Sequence, residues 1–426
     1  MKAVVLAAGQ GVRLQPLTLT RPKPMIKVGG KPILEHCLGA LKSSGVDETV
    51  IVVHFMADAV RQYFGDGKKL GLKIEYVEQK AMLGTGDAAA VAEPFMKDEF
   101  LLVYGDLLFT TDALKKVADL YHAEKAAAAM AVVPVEKTES YGVVELQDEK
   151  QVKRIVEKPK HGEAPSNLAN AGIYAFNAEI FAKIREISAS SRGELEITDA
   201  ISNLLAEKKP VLAAKISSED WFDVGRPWDL LEANRWTLAK MNPKVLGKVE
   251  NGAHLIGPVM VAETARVRSG AYVEGPAFIG EESDIGPNCF IRPYTSIGNK
   301  VRVGNACEIK ESIIMDGVHI GHLSYVGDSV LGEDCNLGAG IVTGNYRLDA
   351  GTIKMKVKDE VVDSERRKLG AILGDNVKTG IGTLLMPGIK VGCNSWIGPN
   401  VVVYRDVPAD TAVILTQSLE ERKLKP

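Results

Sequence analysis

Two basic residues, Arg13 and Lys23, follow a glycine-containing turn near the N-terminus. The turn lies in Leu6-Ala7-Ala8-Gly9-Gln10-Gly11, directly after the apolar run Ala3-Val4-Val5-Leu6, which predicts a short buried strand. Glycines at a strand end let backbone N–H groups approach an anion, and the two side chains add positive charge. The pattern therefore predicts a polyphosphate site. It matches neither the phosphate-binding loop of ATPases nor the dinucleotide fingerprint, and its alternative is a plain strand-to-turn junction with an exposed Arg.

Two acidic residues are candidate metal ligands. Asp106 follows the predicted strand Phe100–Tyr104, and Asp223 lies between apolar residues in Trp221-Phe222-Asp223-Val224-Gly225. Carboxylates in such positions can hold Mg²⁺ against a phosphate, and a partly buried acid needs a partner. The alternative for Asp106 is turn chemistry, because Gly-Asp is common in turns.

A third candidate group is Gln79 with Leu83-Gly84-Thr85-Gly86. An amide and a close backbone approach suit recognition of a nucleobase edge. Taken alone, the segment could equally be a loop and the start of a helix.

The elements that must position these residues alternate short apolar runs with amphipathic stretches up to about residue 214. The predicted strands are Thr49–Val53, Ile74–Val77, Phe100–Tyr104 and Met130–Val133, and the predicted helices are Ile33–Ser43, Asp58–Phe64, Gly86–Ala92 and Asp112–Glu124. This order indicates a Rossmann-like α/β domain with a mostly parallel sheet. Ligands of such sheets bind at the carboxyl ends of the strands, where the opening turn lies.

Composition narrows the class of protein. The chain has 426 residues, 46% of them hydrophobic and 25% charged, which predicts a globular protein of more than one domain. A net charge of −3 without long charge runs argues against nucleic acid as a partner. We expect a cytoplasmic protein without a membrane partner, since no signal peptide or run of roughly 20 apolar residues is present. The five cysteines form no Cys-x-x-Cys pair, so neither a zinc site nor a disulfide framework is predicted.

Together, seven motifs of the first 225 residues resemble the sugar-1-phosphate nucleotidylyltransferase family. They are Leu6–Lys23, Gln79 with Leu83–Asp87, Gly105-Asp106, Tyr141-Gly142, Glu157-Lys158-Pro159, Asn170-Ala171-Gly172 and Trp221–Gly225. The resemblance implies that Arg13 and Lys23 neutralise a triphosphate and that Asp106 and Asp223 hold Mg²⁺. It further implies a nucleotide-binding group of Leu6, Ala7, Ala8, Gly9, Gly11, Gln79, Gly84 and Thr85, and a sugar-phosphate group of Gly142, Glu157, Lys158 and Asn170.

The second half of the chain changes its period from about residue 251. Apolar residues recur every six positions: Val261, Val267, Val273, Ile279, Ile285, Ile291, Ile297, Val303 and Ile309, continuing after short resets through Ile314, Ile320, Val326, Leu331, Leu337 and Thr343 and, after a gap, from Leu373 to Val403. A second series of small residues precedes them by two positions and includes Cys289, Cys307 and Cys335, which we expect to be core residues. Such hexads predict a β-helix with three hexads per turn. The left-handed sense is implied by the resemblance to hexapeptide-repeat proteins.

One polar, lysine-rich insertion, Asp349–Gly370, interrupts the repeats. Long loops in repeat arrays are usually functional or mobile, so we expect part of an active site or a subunit contact. The predicted organisation is a nucleotidylyltransferase domain at 1–228, a linker helix at 229–250, a β-helix at 251–410 and a tail at 411–426.

Segments around His322 resemble the acetyltransferase half of the bifunctional bacterial enzymes that acetylate glucosamine 1-phosphate and then uridylylate it. The spacings from Arg292 through Lys310 and His322 to Asn336 match without gaps. The resemblance implies that His322 is a general base, with substrate contacts from Arg292, Lys310, Tyr325, Asn336, Asn345 and Tyr346 and an acetyl-CoA contact at Ala339. An exposed turn histidine without catalytic function is the alternative.

This chain departs from the bacterial pattern at Gly351, where a Lys is expected; Lys354 or Lys356 are the nearest substitutes. The arrangement is closer to archaeal versions of the two-domain enzyme. The predicted activity is synthesis of a UDP-N-acetylamino sugar with Mg²⁺, UTP and acetyl-CoA, in a homotrimer assembled through the β-helix and acting on small-molecule substrates. Glucosamine and galactosamine, and UTP and dTTP, all stay open.

Two rival functions are retained. The first is a monofunctional glucose-1-phosphate thymidylyltransferase or GDP-mannose-type pyrophosphorylase, whose β-helix serves assembly or regulation. The second is a non-catalytic regulatory subunit. The combination of His322 with Arg292 and Lys310 opposes the first rival, and the set of Arg13, Lys23, Asp106 and Asp223 opposes the second.

Overall fold

The computed structural model describes residues 1–190 and 192–424. The chain forms two compact units. The first comprises Met1–Gly11, Arg21–Ile26 and Lys31–Val224, and the second comprises Val12–Thr20, Lys27–Gly30 and the chain from Gly225 onwards.

The first unit is built on a nine-stranded sheet. Its main path runs in the order Val152–Glu157, Gly142–Leu146, Leu168–Phe176, Phe100–Tyr104, Lys2–Leu6, Glu48–Val53 and Lys73–Glu78, while Ala128–Pro134 pairs with both Leu168–Phe176 and Val211–Lys215. Further short strands of this unit are Leu107–Phe109, Trp221–Asp223 and Lys31–Pro32, while Lys27–Val28 belongs to the second unit. The Rossmann-like α/β class predicted for this region is confirmed.

The sheet is more mixed than predicted. Lys2–Leu6 pairs in parallel with Glu48–Val53 and Phe100–Tyr104, as expected for strands joined by helices. Leu168–Phe176, however, is antiparallel to Phe100–Tyr104 and to Ala128–Pro134. The prediction of a mostly parallel sheet was therefore wrong for the strands between Gly142 and Phe176, which are joined by turns without a crossover helix. Val211–Lys215, which follows two helices, again pairs in parallel with Ala128–Pro134.

Helices cover the sheet with their apolar faces. The α-helices of this unit are Ile33–Ser43, Ala57–Phe64, Thr85–Ala90, Thr111–Ala123, Glu179–Arg185 and Ile197–Ala206. Short 3-10 turns occupy Lys23–Met25, Lys68–Leu70, Glu93–Phe95 and Ser218–Asp220. In the first helix Ile33, Leu34, Cys37, Leu38 and Leu41 are buried, which is the spacing of a single helical face.

The second unit is a parallel β-helix of three stacked sheets, consistent with the predicted left-handed β-helix. The first sheet contains Lys248–Val249, Arg266–Val267, Asp284–Ile285, Arg302–Asn305, His319–His322, Asn336–Leu337, Lys378–Thr379, Trp396–Ile397 and Ala412–Val413. The second contains His254–Ile256, Tyr272–Glu274, Phe290–Ile291, Glu308–Lys310, Tyr325–Gly327, Val342–Thr343, Leu384–Leu385 and Val402–Val403. The third contains Val259–Val261, Ala277–Ile279, Thr295–Ile297, Ile313–Ile314, Val330–Leu331, Ile372–Leu373 and Lys390–Val391.

Both hexad series face the interior of these coils. The bulky positions from Val261 to Val403 are at most 8% exposed. The preceding small positions, including Cys289, Cys307 and Cys335, are at most 3% exposed. All five cysteines are free and buried, so these side chains act as small apolar core groups.

Helix Asp229–Ala239, predicted as a linker, belongs to the second unit and packs on its coils. Asn234 donates to the Tyr294 carbonyl at 2.9 Å, and the Arg235 guanidinium lies 3.9 Å above the Tyr294 ring. The 3-10 turns Val12–Leu14 and Leu17–Leu19 also belong to this unit. At the other end, Ala412–Val413 pairs with Trp396–Ile397, so coil pairing continues past residue 410.

The insertion after Asn345 folds as an antiparallel hairpin of Lys354–Val357 and Glu360–Asp363. Met355 and Val357 are buried, whereas Lys354 and Lys356 face outward in the alternation typical of a half-buried strand. Across residues 1–190 and 192–424, no helix combines the length and hydrophobicity that crossing a bilayer requires.

Candidate active sites

In the first unit, Lys23 lies between the two predicted metal ligands. Its Nζ is 2.7 Å from Asp106 Oδ2 and 3.6 Å from Asp223 Oδ1. Lys23 is only 7% exposed, so the lysine charge is held in place by two carboxylates. The sequence prediction that these three residues share a site is consistent with this geometry.

The strand pairing explains why the carboxylates converge. The Gly105 N–H donates to the Leu6 carbonyl at 2.9 Å, which brings Asp106 to the start of the glycine-containing turn. Trp221–Asp223 runs antiparallel to Leu107–Phe109, with Asp223 opposite Leu107, the residue after Asp106. The Tyr141 hydroxyl donates to Asp223 Oδ2 at 3.4 Å.

The turn itself starts from a buried strand end. Leu6, Ala7 and Ala8 are buried, and the Ala7 N–H donates to the Val52 carbonyl at 2.8 Å. Gly9 is exposed, and Gly11 has φ 69°, a left-handed conformation that glycine adopts without steric cost. Arg13 is exposed and belongs, with Val12–Thr20, to the second unit.

Gln79 has its amide nitrogen fixed by two acceptors. Nε2 donates to the Gly84 carbonyl at 3.2 Å and to Asp87 Oδ2 at 2.7 Å. Since both partners only accept hydrogen bonds, the NH₂ group must face them and Oε1 is the atom left to accept. Thr85 Oγ1 accepts from the Ile197 N–H at 3.0 Å, which ties the predicted base-contact segment to the start of helix Ile197–Ala206.

The predicted sugar-phosphate residues form a second group in the same unit. A Cβ at position 142 would lie 2.7 Å from Glu157 Oε2, so a larger residue there would displace the Glu157 carboxylate. Asn170 Nδ2 donates to the Tyr174 hydroxyl at 2.6 Å. Lys158 is less confined: its side chain is 43% exposed and its Nζ lies 3.9 Å from Glu157 Oε1.

An acidic group beside Glu157 was missed by the sequence reasoning. Arg192 contacts Glu157 at 3.4 Å and also pairs with Glu196, while Glu194 lies 3.6 Å away. Burial and the neighbouring carboxylates Glu194 and Glu157 raise the pKa of Glu196 to about 7. The alternation Arg-x-Glu-x-Glu just before a helix was the available signal.

In the second unit, Lys310 is buried against an acid that the sequence analysis did not assign. Lys310 Nζ donates to Asp328 Oδ1 at 2.9 Å and Oδ2 at 2.8 Å. Asn345 Nδ2 donates to the same Asp328 carboxylate at 2.5 Å and to the Tyr325 hydroxyl at 3.0 Å. Four polar side chains therefore form one network, and burial raises the pKa of the Tyr325 phenol.

Arg292 lies one coil from Lys310, because strand Phe290–Ile291 pairs with Glu308–Lys310. Its NH1 donates to Glu308 Oε1 at 3.0 Å. Glu308 is in register with Tyr325, so the predicted basic residues border the same sheet as Tyr325.

His322 lies at the corner before that sheet, at the end of strand His319–His322, and is exposed. Asn336 is in register with His319 on the next coil and is exposed, as is Tyr346, while Ala339 is half-buried. The structure thus joins Asn345 to Tyr325 directly and to Lys310 through Asp328, and it places the other predicted acetyl-transfer residues on adjoining coils.

A surface groove of about 550 Å³ runs beside this corner. Its lining includes Phe290, Cys307, Leu323, Tyr325 and Val342. Asn288, Glu308 and Ser324 also line it, so the groove presents polar as well as apolar groups beside the polar network.

An α/β sheet with a lysine held between two carboxylates, followed by a β-helix with its own buried polar network, defines a two-domain transferase architecture. The Nucleotidyl transferase family matches residues 2–240, and the GMPPB C-terminal domain family matches residues 273–385. A solved structure of UDP-glucose pyrophosphorylase complexed with UDP-glucose is 28% identical and aligns with a TM-score of 0.52, covering 56% of this chain and 99% of that one.

Relatives extend over the whole chain. The "Bifunctional protein GlmU" of Methanocaldococcus jannaschii is 44% identical over 425 residues, covering 100% of both chains. The "Bifunctional sugar-1-phosphate nucleotidylyltransferase/acetyltransferase" of Sulfurisphaera tokodaii is 42% identical, covering 96% of this chain and 98% of that one. The chain belongs to this bifunctional nucleotidylyltransferase/acetyltransferase family, as its sequence motifs predicted.

Proposed function

We propose that this chain makes a UDP-N-acetylamino sugar in two steps. The second unit transfers an acetyl group from acetyl-CoA to the amine of glucosamine 1-phosphate or galactosamine 1-phosphate. The first unit then joins the N-acetylated sugar phosphate to UMP from UTP and releases pyrophosphate. The contact of Lys23 with both Asp106 and Asp223 is the observation that supports the nucleotidyl step most directly.

The nucleotidyl step needs charge neutralisation more than acid–base chemistry. The phosphate of a sugar 1-phosphate is already an anionic nucleophile, so the enzyme must bring two anions together. Lys23 and Arg13 supply positive charge toward the α-phosphate and the departing pyrophosphate. Glu157, Asn170 and Gly142 would orient the sugar, and Lys158 would lie near its phosphate.

Asp106 and Asp223 fit a magnesium site. Mg²⁺ in nucleotide sites is usually bound by one or two carboxylates together with substrate phosphates, and these two carboxylates already share one cationic partner. Among the described residues no cluster of three or more His, Cys, Asp or Glu side chains forms a metal cage, so the phosphates would complete the ligand set. When bound, Mg²⁺ would polarise the triphosphate and offset its charge.

The orientation of the Gln79 amide favours a nucleotide with a uracil or thymine base. Its Oε1, the amide atom left to accept, can receive the ring N3–H of uracil or thymine, whereas cytosine has no hydrogen at that nitrogen. We therefore propose UTP as the nucleotide substrate, with dTTP as the alternative that this contact equally accepts.

The acetyl step requires a general base. The sugar ammonium must lose a proton before its nitrogen attacks the thioester carbonyl; the C–N bond forms, the C–S bond breaks, and CoA leaves as a thiol. His322 is the proposed proton acceptor. Arg292 and Lys310 would bind the sugar phosphate, Tyr325, Asn336, Asn345 and Tyr346 would orient the substrate, and Ala339 would border acetyl-CoA.

The assembly is proposed to be a homotrimer formed through the β-helix, with acetyl transfer between subunits. The exposed positions of His322, Asn336 and Tyr346 support a site that a second copy completes. Sedimentation velocity of the purified protein tests this state, and a monomer at assay concentration would contradict it.

A second candidate is a monofunctional pyrophosphorylase. The match of residues 273–385 to the GMPPB C-terminal domain favours it, since that match covers most of the repeats. Repeat architecture alone does not specify an activity, however, and the buried Lys310 network and the full-length bifunctional relatives favour two activities.

The deciding experiment is a product screen. Glucosamine and galactosamine 1-phosphates, each as free amine and N-acetylated, are tested with UTP and dTTP, with and without acetyl-CoA. Coupled products from the free amine only in the presence of acetyl-CoA support both steps.

The matched variants of the screen are His322→Ala and His319→Ala, which lie on the same strand and are both exposed. Only His322→Ala should stop CoA release. CoA release absent from the wild type would favour the monofunctional candidate, and pyrophosphate release absent with UTP, dTTP and GTP would indicate a regulatory subunit.

A further inference from the structure

We infer that Asp328 is a positioning residue of the acetyl-transfer site. It fixes Lys310 and Asn345 in one arrangement and joins them to both ends of the hairpin insertion. This inference rests on the acetyl transfer proposed above.

The Asp328 carboxylate is the centre of the buried network. It is 1% exposed and accepts hydrogen bonds from Lys310 Nζ through both oxygens and from Asn345 Nδ2. Lys310 and Asn345 are two of the proposed substrate contacts, and a flexible lysine side chain loses little further entropy on binding when it is already held.

Backbone contacts hold Asp328 from two directions. Its N–H donates to the Lys310 carbonyl on the preceding coil at 2.8 Å, and its carbonyl accepts from the Gly370 N–H at 2.8 Å. The Leu369 N–H donates to the Asn345 carbonyl at 3.0 Å. Asn345, which precedes the insertion, and Leu369 and Gly370, which end it, therefore meet at Asp328.

The charges of the pair determine what Lys310 can contribute. A buried ammonium with a bidentate carboxylate is neutral as a pair, so Lys310 offers the sugar phosphate a directed N–H donor more than added net charge. Its direction depends on Asp328, because removal of that carboxylate would leave the buried ammonium with only the more distant Glu311, 3.6 Å away, as an acidic neighbour.

The test is Asp328→Asn, measured by CoA release and pyrophosphate release on the same full-length preparation. We expect the KM for glucosamine 1-phosphate to rise about tenfold or more, because the contacts of the substrate are displaced. The kcat at saturating sugar phosphate, the KM for acetyl-CoA and the rate of uridylyl transfer should each change less than about threefold. If Asp328 only stabilised the fold, the variant would instead lose kcat, and the KM for acetyl-CoA would change along with the KM for glucosamine 1-phosphate.

Asp284→Asn is the matched control, since Asp284 pairs with Arg268 and Arg302 elsewhere on the β-helix and touches none of the proposed substrate contacts. Asp328→Ser, a smaller side chain that still accepts a hydrogen bond, replaces Asp328→Asn if that variant does not fold. An active wild type with an unchanged KM in the variant, or the same KM change in Asp284→Asn, overturns this inference alone. A wild type that releases no CoA from any amino sugar phosphate overturns the proposed acetyl transfer as well.

Discussion

Lys23 Nζ lies 2.7 Å from Asp106 Oδ2, and this ion pair is almost fully enclosed on the lysine side, with 9% of the Lys23 side chain exposed. The low exposure of Lys23 weakens solvent screening on that side of the pair, while the Asp106 side chain is 34% exposed. The pair therefore places a cation and a candidate metal ligand side by side before any nucleotide arrives.

Substitution Lys23→Ala is expected to reduce uridylyl transfer by about 100-fold or more, because a preorganised charge at the reacting phosphate is lost. Acetyl transfer should continue. Pyrophosphate and CoA release are followed in parallel, with the exposed Lys31→Ala as control. Near-normal pyrophosphate release in Lys23→Ala would remove this residue from the mechanism.

The variants Asp106→Asn and Asp223→Asn are expected to raise the Mg²⁺ concentration for half-maximal uridylyl transfer by about tenfold or more. Each removes one carboxylate but keeps the size of the side chain. Asp220→Asn is the matched control, since Asp220 is close in sequence and bonds to Thr110. An unchanged Mg²⁺ dependence in both variants would contradict the proposed ligand pair.

Asp87→Ala should weaken nucleotide selectivity. Without Asp87 the Gln79 amide loses one of the two acceptors that orient it, so both amide orientations become accessible. We expect the ratio of kcat/KM for UTP over CTP to fall about tenfold. A ratio that stays at the wild-type value in Asp87→Ala, as it should in the exposed Asp98→Ala, would show that Asp87 does not orient the base contact.

The pKa of Glu196, raised to about 7, predicts a pH-dependent stability. Because the folded protein holds this proton more tightly than the unfolded chain, the contribution of Glu196 is fully present below about pH 4.5 and is lost as the pH rises through about 7. In the wild type this loss should lower the free energy of unfolding by about 1–3 kcal/mol across that pH range, and Glu196→Gln should abolish the decrease. Thermal unfolding of both proteins between these pH values measures it, and parallel curves would contradict the assignment.

Ile309→Ala should lower the free energy of unfolding by about 2–5 kcal/mol, since Ile309 is fully buried in the β-helix core. Val361→Ala, at a position 70% exposed on the hairpin, should change it by less than about 0.5 kcal/mol. Urea unfolding curves compare the two. An equally small effect of Ile309→Ala would show that this coil unfolds before the global transition.

The sequence predicted buried positions and element bounds best where a regular hydrophobic period or a compact motif was present. The hexads located the inward residues of nearly every coil, and Ile33–Ser43 was predicted with the bounds that the structure shows. Sheet direction beyond Ala128–Pro134 could not be predicted, because antiparallel insertion of Leu168–Phe176 depends on tertiary pairing. The Asp87–Gln79 and Asp328–Lys310 contacts join residues 8 and 18 positions apart. The second spacing is one residue more than the local β-helix turn, since Lys310 is in register with Gly327, so opposite charges about one turn apart are a signal that sequence reading can use.

The hairpin insertion leaves the stacking of the coils unbroken. Phe290 and Glu308, 18 residues apart, pair on consecutive coils, whereas Ser329 and Ala371, 42 residues apart, contact each other across the insertion. Val330 stays in register with Ile372 and Val342 with Leu384. Since both ends of the excursion are fixed at one corner, its length can change at little cost in loop entropy and without disturbing the core. This corner is therefore a place where evolution or engineering can exchange surface segments beside the proposed acetyl-transfer site while the β-helix persists.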